Sequence, residues 1–176
     1  LPQTEQRAIT SVVGLFELVK DLYGKKESFD QQRPSDEAIE EHLSLCLAFF
    51  NELLTSVPEF VEVFSHGKGE PGDYRTNAHN HLLFRPAGQR AFARAVQLML
   101  ARKTSLKDSI AVLLKAEMDL LKEPWHHVLW NPVAETMVTG TLVVAEAQLL
   151  RLAGQEPRTT SSAKKLDRLL AAAKVT

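Results

Sequence analysis

The stretch from His81 to Lys107, HLLFRPAGQRAFARAVQLMLARKTSLK, decides the fold of this chain. Pro86 has a fixed φ that suits the first turn of a helix, and Arg85 before it is biased away from the helical region. Apolar residues then recur at helical spacing, which predicts a helix from Pro86 to about Lys103. We expect its core face to consist of Phe92, Ala95, Val96, Met99 and Leu100.

The same region has a polarised charge pattern. Seven Lys or Arg and no Asp or Glu lie between Arg75 and Lys107, whereas eight acidic residues and one Lys lie between Asp36 and Glu70. Arginine suits bidentate contact with phosphate. The expected contacts with nucleic acid or a partner are Arg75, Arg85, Arg90, Arg94, Arg102, Lys103 and Lys107. Alternatively, these cations pair with the acidic second helix of the same chain, which would neutralise the basic face.

Apolar periodicity and capping residues predict further helices on both sides of this stretch. In the first predicted helix, capped by Thr4 and ended by Gly24, the expected core stripe is Ile9, Val12, Val13, Phe16, Val19 and Tyr23. In the second, capped by Ser35, it is Ile39, Leu43, Cys46, Leu47, Phe50 and Leu54. Shorter or later helices are predicted at 59–64, 106–114, 141–152 and 161–174, the third of these ended by Gly154.

Non-helical segments separate these helices. Residues 66–80 contain three Gly and one Pro and predict an exposed loop, whereas His81 to Phe84 predict a short extended piece. Asn131-Pro132 is a turn dipeptide between two apolar pieces. The predicted fold is therefore mainly α, with about six helices in an orthogonal or bundle-like single domain and a small irregular or β-hairpin insert near 128–138. The helical domain is expected to cover 1–154, and 155–176 to form a linker and a loosely docked C-terminal helix.

Composition limits the classes of function. A net charge of −1 argues against bulk attraction to nucleic acid or membrane, although a local patch can still bind. No apolar run approaches the roughly 18 residues that a membrane span needs. The single cysteine, Cys46, excludes an internal disulfide, suits a reducing cytoplasm, and is expected to be a buried apolar residue. Trp125 and Trp130 are expected to anchor an irregular segment to the core.

No catalytic motif is present, so we expect a protein that is not an enzyme and needs no cofactor. His79 and His81 form an H-x-H pair that is a weak candidate for a metal site, with His66 or Asp73 as a third ligand. Surface histidines in a polar loop explain the same pattern equally simply, and we favour that interpretation.

Two blocks of sequence resemble a known family. The first block is HLLFRPAGQ at 81–89. The second block, within 124–140, contains PW, VLWNP and MVTG in that order. Together they are similar to the C-terminal part of DGQHR-domain proteins, which include DndB-type proteins of bacterial DNA sulfur modification (phosphorothioation). The resemblance implies a cytoplasmic prokaryotic protein tied to DNA modification or defence, with a DNA-binding regulatory role. The defining DGQHR motif is absent, so we expect this chain to be a piece that lacks the family's N-terminal domain.

Three hypotheses follow. The first is a non-catalytic helical domain of a DNA-modification-associated regulator, which contacts duplex DNA or a partner through the basic helix. The second is an oligomerisation or interdomain docking module, in which the acidic second helix of one copy meets the basic helix of another, or the module meets the missing N-terminal domain. The third is an enzyme with a metal centre at His79 and His81.

Overall fold

The computed structural model describes residues 6–24 and 35–173. Over these residues the chain is mainly helical and has one small two-stranded antiparallel sheet, which confirms the predicted fold class. The helices are α1 (Val12–Tyr23), α2 (Asp36–Ser56), α3 (Pro58–Phe60), α4 (Pro86–Ala101), α5 (Leu106–Leu113), α6 (Leu142–Leu152) and α7 (Thr160–Ala173). The strands are β1 (Trp130–Asn131) and β2 (Thr136–Met137). A π-helical turn follows α3 at Val61–Ser65, and 3-10 turns lie at Pro71–Tyr74, Leu82–Phe84 and Glu123–Trp125.

The central element is α4, which packs against α1, α5 and α6. It begins at Pro86 as predicted, because Arg85 is extended, with φ −109° and ψ 130°. Of the expected core face, Phe92, Ala95, Val96 and Met99 are buried, and Leu100 is half-buried. Gly88 is needed in the first turn because a Cβ there would collide with the Leu82 carbonyl oxygen. The helix therefore starts directly against the preceding 3-10 turn.

The prediction for α1 was wrong in its start and in its buried face. The helix begins at Val12, where Ser11 caps it by accepting a hydrogen bond from the Gly14 N–H at 3.0 Å; the expected cap, Thr4, lies outside the described residues. The buried side chains are Leu18 and Leu22. Half of the expected core stripe, Val12, Val13 and Phe16, is exposed instead, because the side of α1 that carries Glu17 and Asp21 is turned toward the arginines of α4.

For the second helix the predicted ends were correct, but half of the predicted core stripe is exposed. Ser35 caps α2 as predicted, accepting from the Ala38 N–H at 3.2 Å. Its buried residues are Phe49 and Leu53, and the predicted stripe contains three of its exposed residues, Ile39, Leu43 and Leu47. Cys46 is half-buried, and this burial raises the pKa of its thiol.

The segment before α4 is more compact than predicted. Residues 82–84 form a fully buried 3-10 turn and not an extended piece, because the imidazole Nδ1 of His81 accepts a hydrogen bond from the Leu83 N–H and caps the turn. The expected exposed loop also contains a buried turn at Pro71 and Gly72. These contacts bring the loop residues into fixed positions beside the start of α4.

The predicted hairpin is present between α5 and α6. Trp130 pairs with Met137, and the Asn131 side chain accepts hydrogen bonds from two backbone N–H groups of the turn. Trp125 is fully buried, and its indole N–H donates to the Glu117 carbonyl at 2.7 Å. Both tryptophans are buried anchors of this irregular segment, as expected.

The last helix, α7, lies on α6 through the fully buried Leu166. An exposed ion pair between Arg151 of α6 and Asp167 of α7, at 2.8 Å, also joins the two helices. Within 6–24 and 35–173, no single helix has the length and apolarity of a membrane span. One pair of consecutive helices passes those criteria when combined, but the chain bends by 92° between them.

Candidate functional site

The structure divides the seven predicted cations into three groups. Arg90 and Arg94 are engaged in ion pairs inside the fold. Arg75 and Arg85 lie together beside the start of α4. The remaining three, Arg102, Lys103 and Lys107, are exposed at the corner between α4 and α5.

The first group belongs to an ionic network that joins three helices. Arg90 contacts Asp21 at 2.6 Å and Glu17 at 2.9 Å, both on α1. Arg94 contacts Asp21 at 3.4 Å and Glu146 of α6 at 2.7 Å. The intramolecular pairing considered from the sequence is therefore present for these two arginines, but its acids come from α1 and α6 and not from α2.

Arg158 completes this network, and sequence reasoning missed it. Its Nε contacts Glu146 at 2.6 Å, its Nη1 donates to Gln97 at 3.0 Å, and its Nη2 donates to the Arg94 carbonyl at 2.8 Å. The sequence placed Arg158 in a polar linker. One signal was available, because Glu146 interrupts the apolar run of α6 and a buried carboxylate there requires a cationic partner.

Arg85 has a different environment from the other half-buried arginines. Its Nε donates to the Asn80 side chain at 2.7 Å and its Nη2 donates to the Arg75 carbonyl at 2.5 Å. Burial and, secondarily, the charge of Arg75 lower the pKa of Arg85 to about 10. None of the acids in the described part of the chain forms an ion pair with it.

The two histidines of the H-x-H pair have unlike surroundings. His79 is exposed and contacts the Tyr74 ring edge-on, at 4.7 Å between centroids. His81 is buried, and this burial lowers its pKa despite the charge of Glu59, whose carboxylate lies 3.7 Å from the imidazole. The described residues contain no group of three or more His, Cys, Asp or Glu placed to hold a metal ion. The geometry gives the metal hypothesis no support.

The exposed apolar side chains are concentrated on α1 and α2. Among the residues that the structure describes, ten large hydrophobic side chains are exposed, and seven of them belong to α1 or α2. Tyr23 fixes these two helices together, since its hydroxyl donates to the His42 carbonyl at 2.6 Å and its ring lies 3.8 Å from the His42 ring. Six of these seven residues define what we call the α1–α2 apolar face: Val12, Val13, Phe16, Ile39, Leu43 and Leu47.

Comparison with known proteins finds no matching family model, no matching curated protein and no matching solved structure.

Proposed function

We propose that this chain is a non-catalytic helical docking module that associates with a second copy of itself through the α1–α2 apolar face. The observation that carries the proposal is the exposure of this face: Val12 is 86% exposed, Leu43 56% and Leu47 55%. The three α2 residues form a continuous row, since they recur every four residues, and a continuous apolar surface is typical of interaction sites, whereas isolated exposed hydrophobics are not.

The apolar residues of α2 are spaced for self-association. Ile39, Leu43 and Leu47 recur every four residues and so lie along one side of the helix over about 12 Å. If two α2 helices pack antiparallel with Leu43 at the two-fold axis, Ile39 of each copy meets Leu47 of the other. A two-fold contact of this kind uses the same surface on both subunits, which is the commonest arrangement of homodimers.

The charges on α2 are compatible with this register. The acids at its start are Asp36, Glu37, Glu40 and Glu41. In the antiparallel pair they lie opposite residues 45–50 of the second copy, a segment with no charged residue. Like charges therefore do not oppose each other, and no basic helix is required as the partner. This differs from the docking predicted from the sequence, where the basic helix was the partner, because Arg90 and Arg94 are already engaged.

Sedimentation equilibrium over a concentration series tests the proposal. We expect a dimer whose dissociation constant changes little between low and high salt. Burying a leucine fully contributes roughly 1.5–3 kcal/mol, so the exposed half of Leu43 contributes about 1 kcal/mol per copy. Leu43→Ser should then weaken the dimer by about 2 kcal/mol, which is about 30-fold in the dissociation constant.

Val143→Ser is the matched control, since Val143 of α6 is 43% exposed but lies outside the α1–α2 apolar face. It should leave the dimer unchanged. A chain that stays monomeric at all concentrations refutes the proposal, as does equal weakening by the two variants. A dimer that dissociates in high salt would indicate an ionic contact and would also refute it.

A second candidate is the DNA-associated regulatory role that the DGQHR resemblance implies. The observation in its favour is that Arg102, Lys103 and Lys107 are exposed and form no ion pair with a described carboxylate. Fluorescence anisotropy with labelled duplex DNA across a salt series tests it. If the three cations contact phosphates, replacing all three by alanine should reduce the salt slope, log K against log [salt], by about 3. Undetectable binding at low salt, or an unchanged slope, excludes this role for the chain.

A further inference from the structure

We propose that a small pocket between the segment before α1, helix α2 and the start of α4 binds a slender aliphatic alcohol by its hydroxyl group. The starting observation concerns two buried side-chain oxygens that have no hydrogen-bond partner among the described residues. These atoms are Thr10 Oγ1 and Gln89 Oε1, and both residues line this pocket. Buried polar atoms are rarely left unpaired unless a water or a ligand completes them.

The side-chain amide of Gln89 is held in one orientation. The residue is only 6% exposed, and its Nε2 donates to the Leu83 carbonyl at 2.9 Å and to the Ile9 carbonyl at 3.1 Å. Rotating the amide by half a turn would place its oxygen against these two carbonyl oxygens, which have no proton to donate. The amide nitrogen therefore keeps these two bonds, and Oε1 is left as an acceptor that requires a donor.

Thr10 supplies a group of complementary character. It lies immediately before Ser11, the cap of α1, and its hydroxyl oxygen is enclosed by the surrounding protein. A hydroxyl group both donates and accepts, whereas the oxygen of a side-chain amide only accepts. A ligand hydroxyl that donates to Gln89 can accept from Thr10, so one such group would satisfy both residues.

The rest of the pocket wall is apolar. None of the nine described residues that line it is charged, so a neutral ligand is favoured over an ion. The buried part of the wall consists of Leu18, Phe49, Leu53, Phe60 and Leu83. The pocket therefore suits a molecule that has one hydrogen-bonding group and is otherwise apolar.

The size of the pocket limits the ligand to a slender molecule. The space that admits the centre of a water-sized group is about 20 Å³, which is room for one hydroxyl group. The pocket is partly open to solvent, and Ile9 and Phe50 of its lining are only half-buried. The hydroxyl group would enter the pocket, and the alkyl chain would lie at its mouth against Ile9 and Phe50.

The test compares two isomers, n-butanol and methyl n-propyl ether, which contain the same atoms but differ in that only the alcohol has a donor. Each is titrated into the whole chain, and proton–nitrogen NMR spectra follow the side-chain amide of Gln89. We expect a saturable shift of this signal with n-butanol. The ether should bind about tenfold more weakly, because it leaves Gln89 Oε1 without a donor.

A pair of threonine variants tests the second contact. Thr10→Val keeps the shape of the side chain but removes its hydroxyl, and it should weaken n-butanol binding about tenfold. Thr55→Val is the matched control, because the Thr55 hydroxyl donates to the Asn51 carbonyl of its own helix, at 3.0 Å, and Thr55 does not line the pocket. It should leave the affinity for n-butanol unchanged.

Three results would overturn the proposal: no saturable shift in the wild type, equal affinity for the two isomers, or unchanged affinity in Thr10→Val. A water that stays in contact with Gln89, seen as a nuclear Overhauser effect that n-butanol does not remove, would also overturn it. The comparison of isomers needs no variant, so it does not depend on how Thr10→Val folds. Leu43 does not line this pocket, so failure here leaves the α1–α2 apolar face to its own sedimentation test.

Discussion

Removing the carboxylate of Glu146 should destabilise the fold more than removing any exposed ion pair. Its side chain is only 2% exposed and contacts Arg94 at 2.7 Å and Arg158 at 2.6 Å. In Glu146→Ala the chain would keep both guanidinium groups, of which the Arg94 side chain is 22% exposed and the Arg158 side chain 32%. The variant therefore leaves two poorly hydrated cations facing each other.

The magnitude follows from the geometry. Breaking a fully buried pair by removing one partner costs about 3–5 kcal/mol. Arg94 keeps its contact with Asp21 at 3.4 Å, and both guanidinium groups can be partly hydrated in the variant. The cost should therefore lie at the low end of this range. We expect about 3 kcal/mol, or about 6–12 °C in melting temperature for a chain of this size. Glu146→Gln preserves the shape and one acceptor and should cost about half as much.

Urea unfolding followed by circular dichroism measures these free energies. Arg151→Ala is the matched control because its pair with Asp167 also joins α6 to α7 but is exposed on both sides; it should cost less than about 1 kcal/mol. Arg158→Ala combined with Glu146→Ala should cost less than the sum of the two single variants, since they share one interaction. A loss in Glu146→Ala no greater than in Arg151→Ala would refute the view that this network stabilises the junction of α1, α4 and α6.

The remaining predictions concern single side chains. Because burial lowers the pKa of His81, protonation of this imidazole favours the unfolded chain. The contribution of His81 to stability is therefore full above about pH 6.5 and declines as the pH falls below it. His81→Asn should flatten this decline in urea titrations between about pH 7 and 5. Burial of Cys46 should slow its reaction with a thiol reagent at least tenfold relative to the urea-unfolded chain. Tyr23→Phe removes the hydroxyl that donates to the His42 carbonyl, so it should cost about 1 kcal/mol in urea unfolding and weaken any dimer seen by sedimentation.

The helix ends that sequence predicted correctly depend on local chemistry. Ser35 and Ser105 accept hydrogen bonds from backbone N–H groups three residues ahead, and Pro86 fixes the backbone at the start of α4. These interactions involve only neighbours in sequence, so their residue types reveal them. The start of α1 was missed because Ile9 fits the helical spacing, although α1 begins only at Val12.

The buried faces of α1 and α2 could not be predicted in the same way. Both helices have apolar residues on two sides, and periodicity does not say which side meets the core. The contacts of α1 with α4 decide this, since Glu17 and Asp21 must face Arg90 while Leu18 and Leu22 remain buried. Half of each stripe assigned to the core is therefore exposed, and these exposed residues form the surface from which we infer docking.

The HLLFRP stretch lies largely in the interior of the fold, which limits what the family resemblance indicates about function. Leu82, Leu83 and Phe84 are fully buried, and Arg85 is only half-buried. Trp125 and Trp130, in the second block of the resemblance, are also buried. A likeness carried by these residues would reflect how they pack around α4. Proteins that share such buried residues can differ in what their surfaces bind. Any shared binding role would have to depend on side chains at the surface, such as the exposed Arg102, Lys103 and Lys107, and for this reason the DNA salt series tests it more directly than the sequence blocks do.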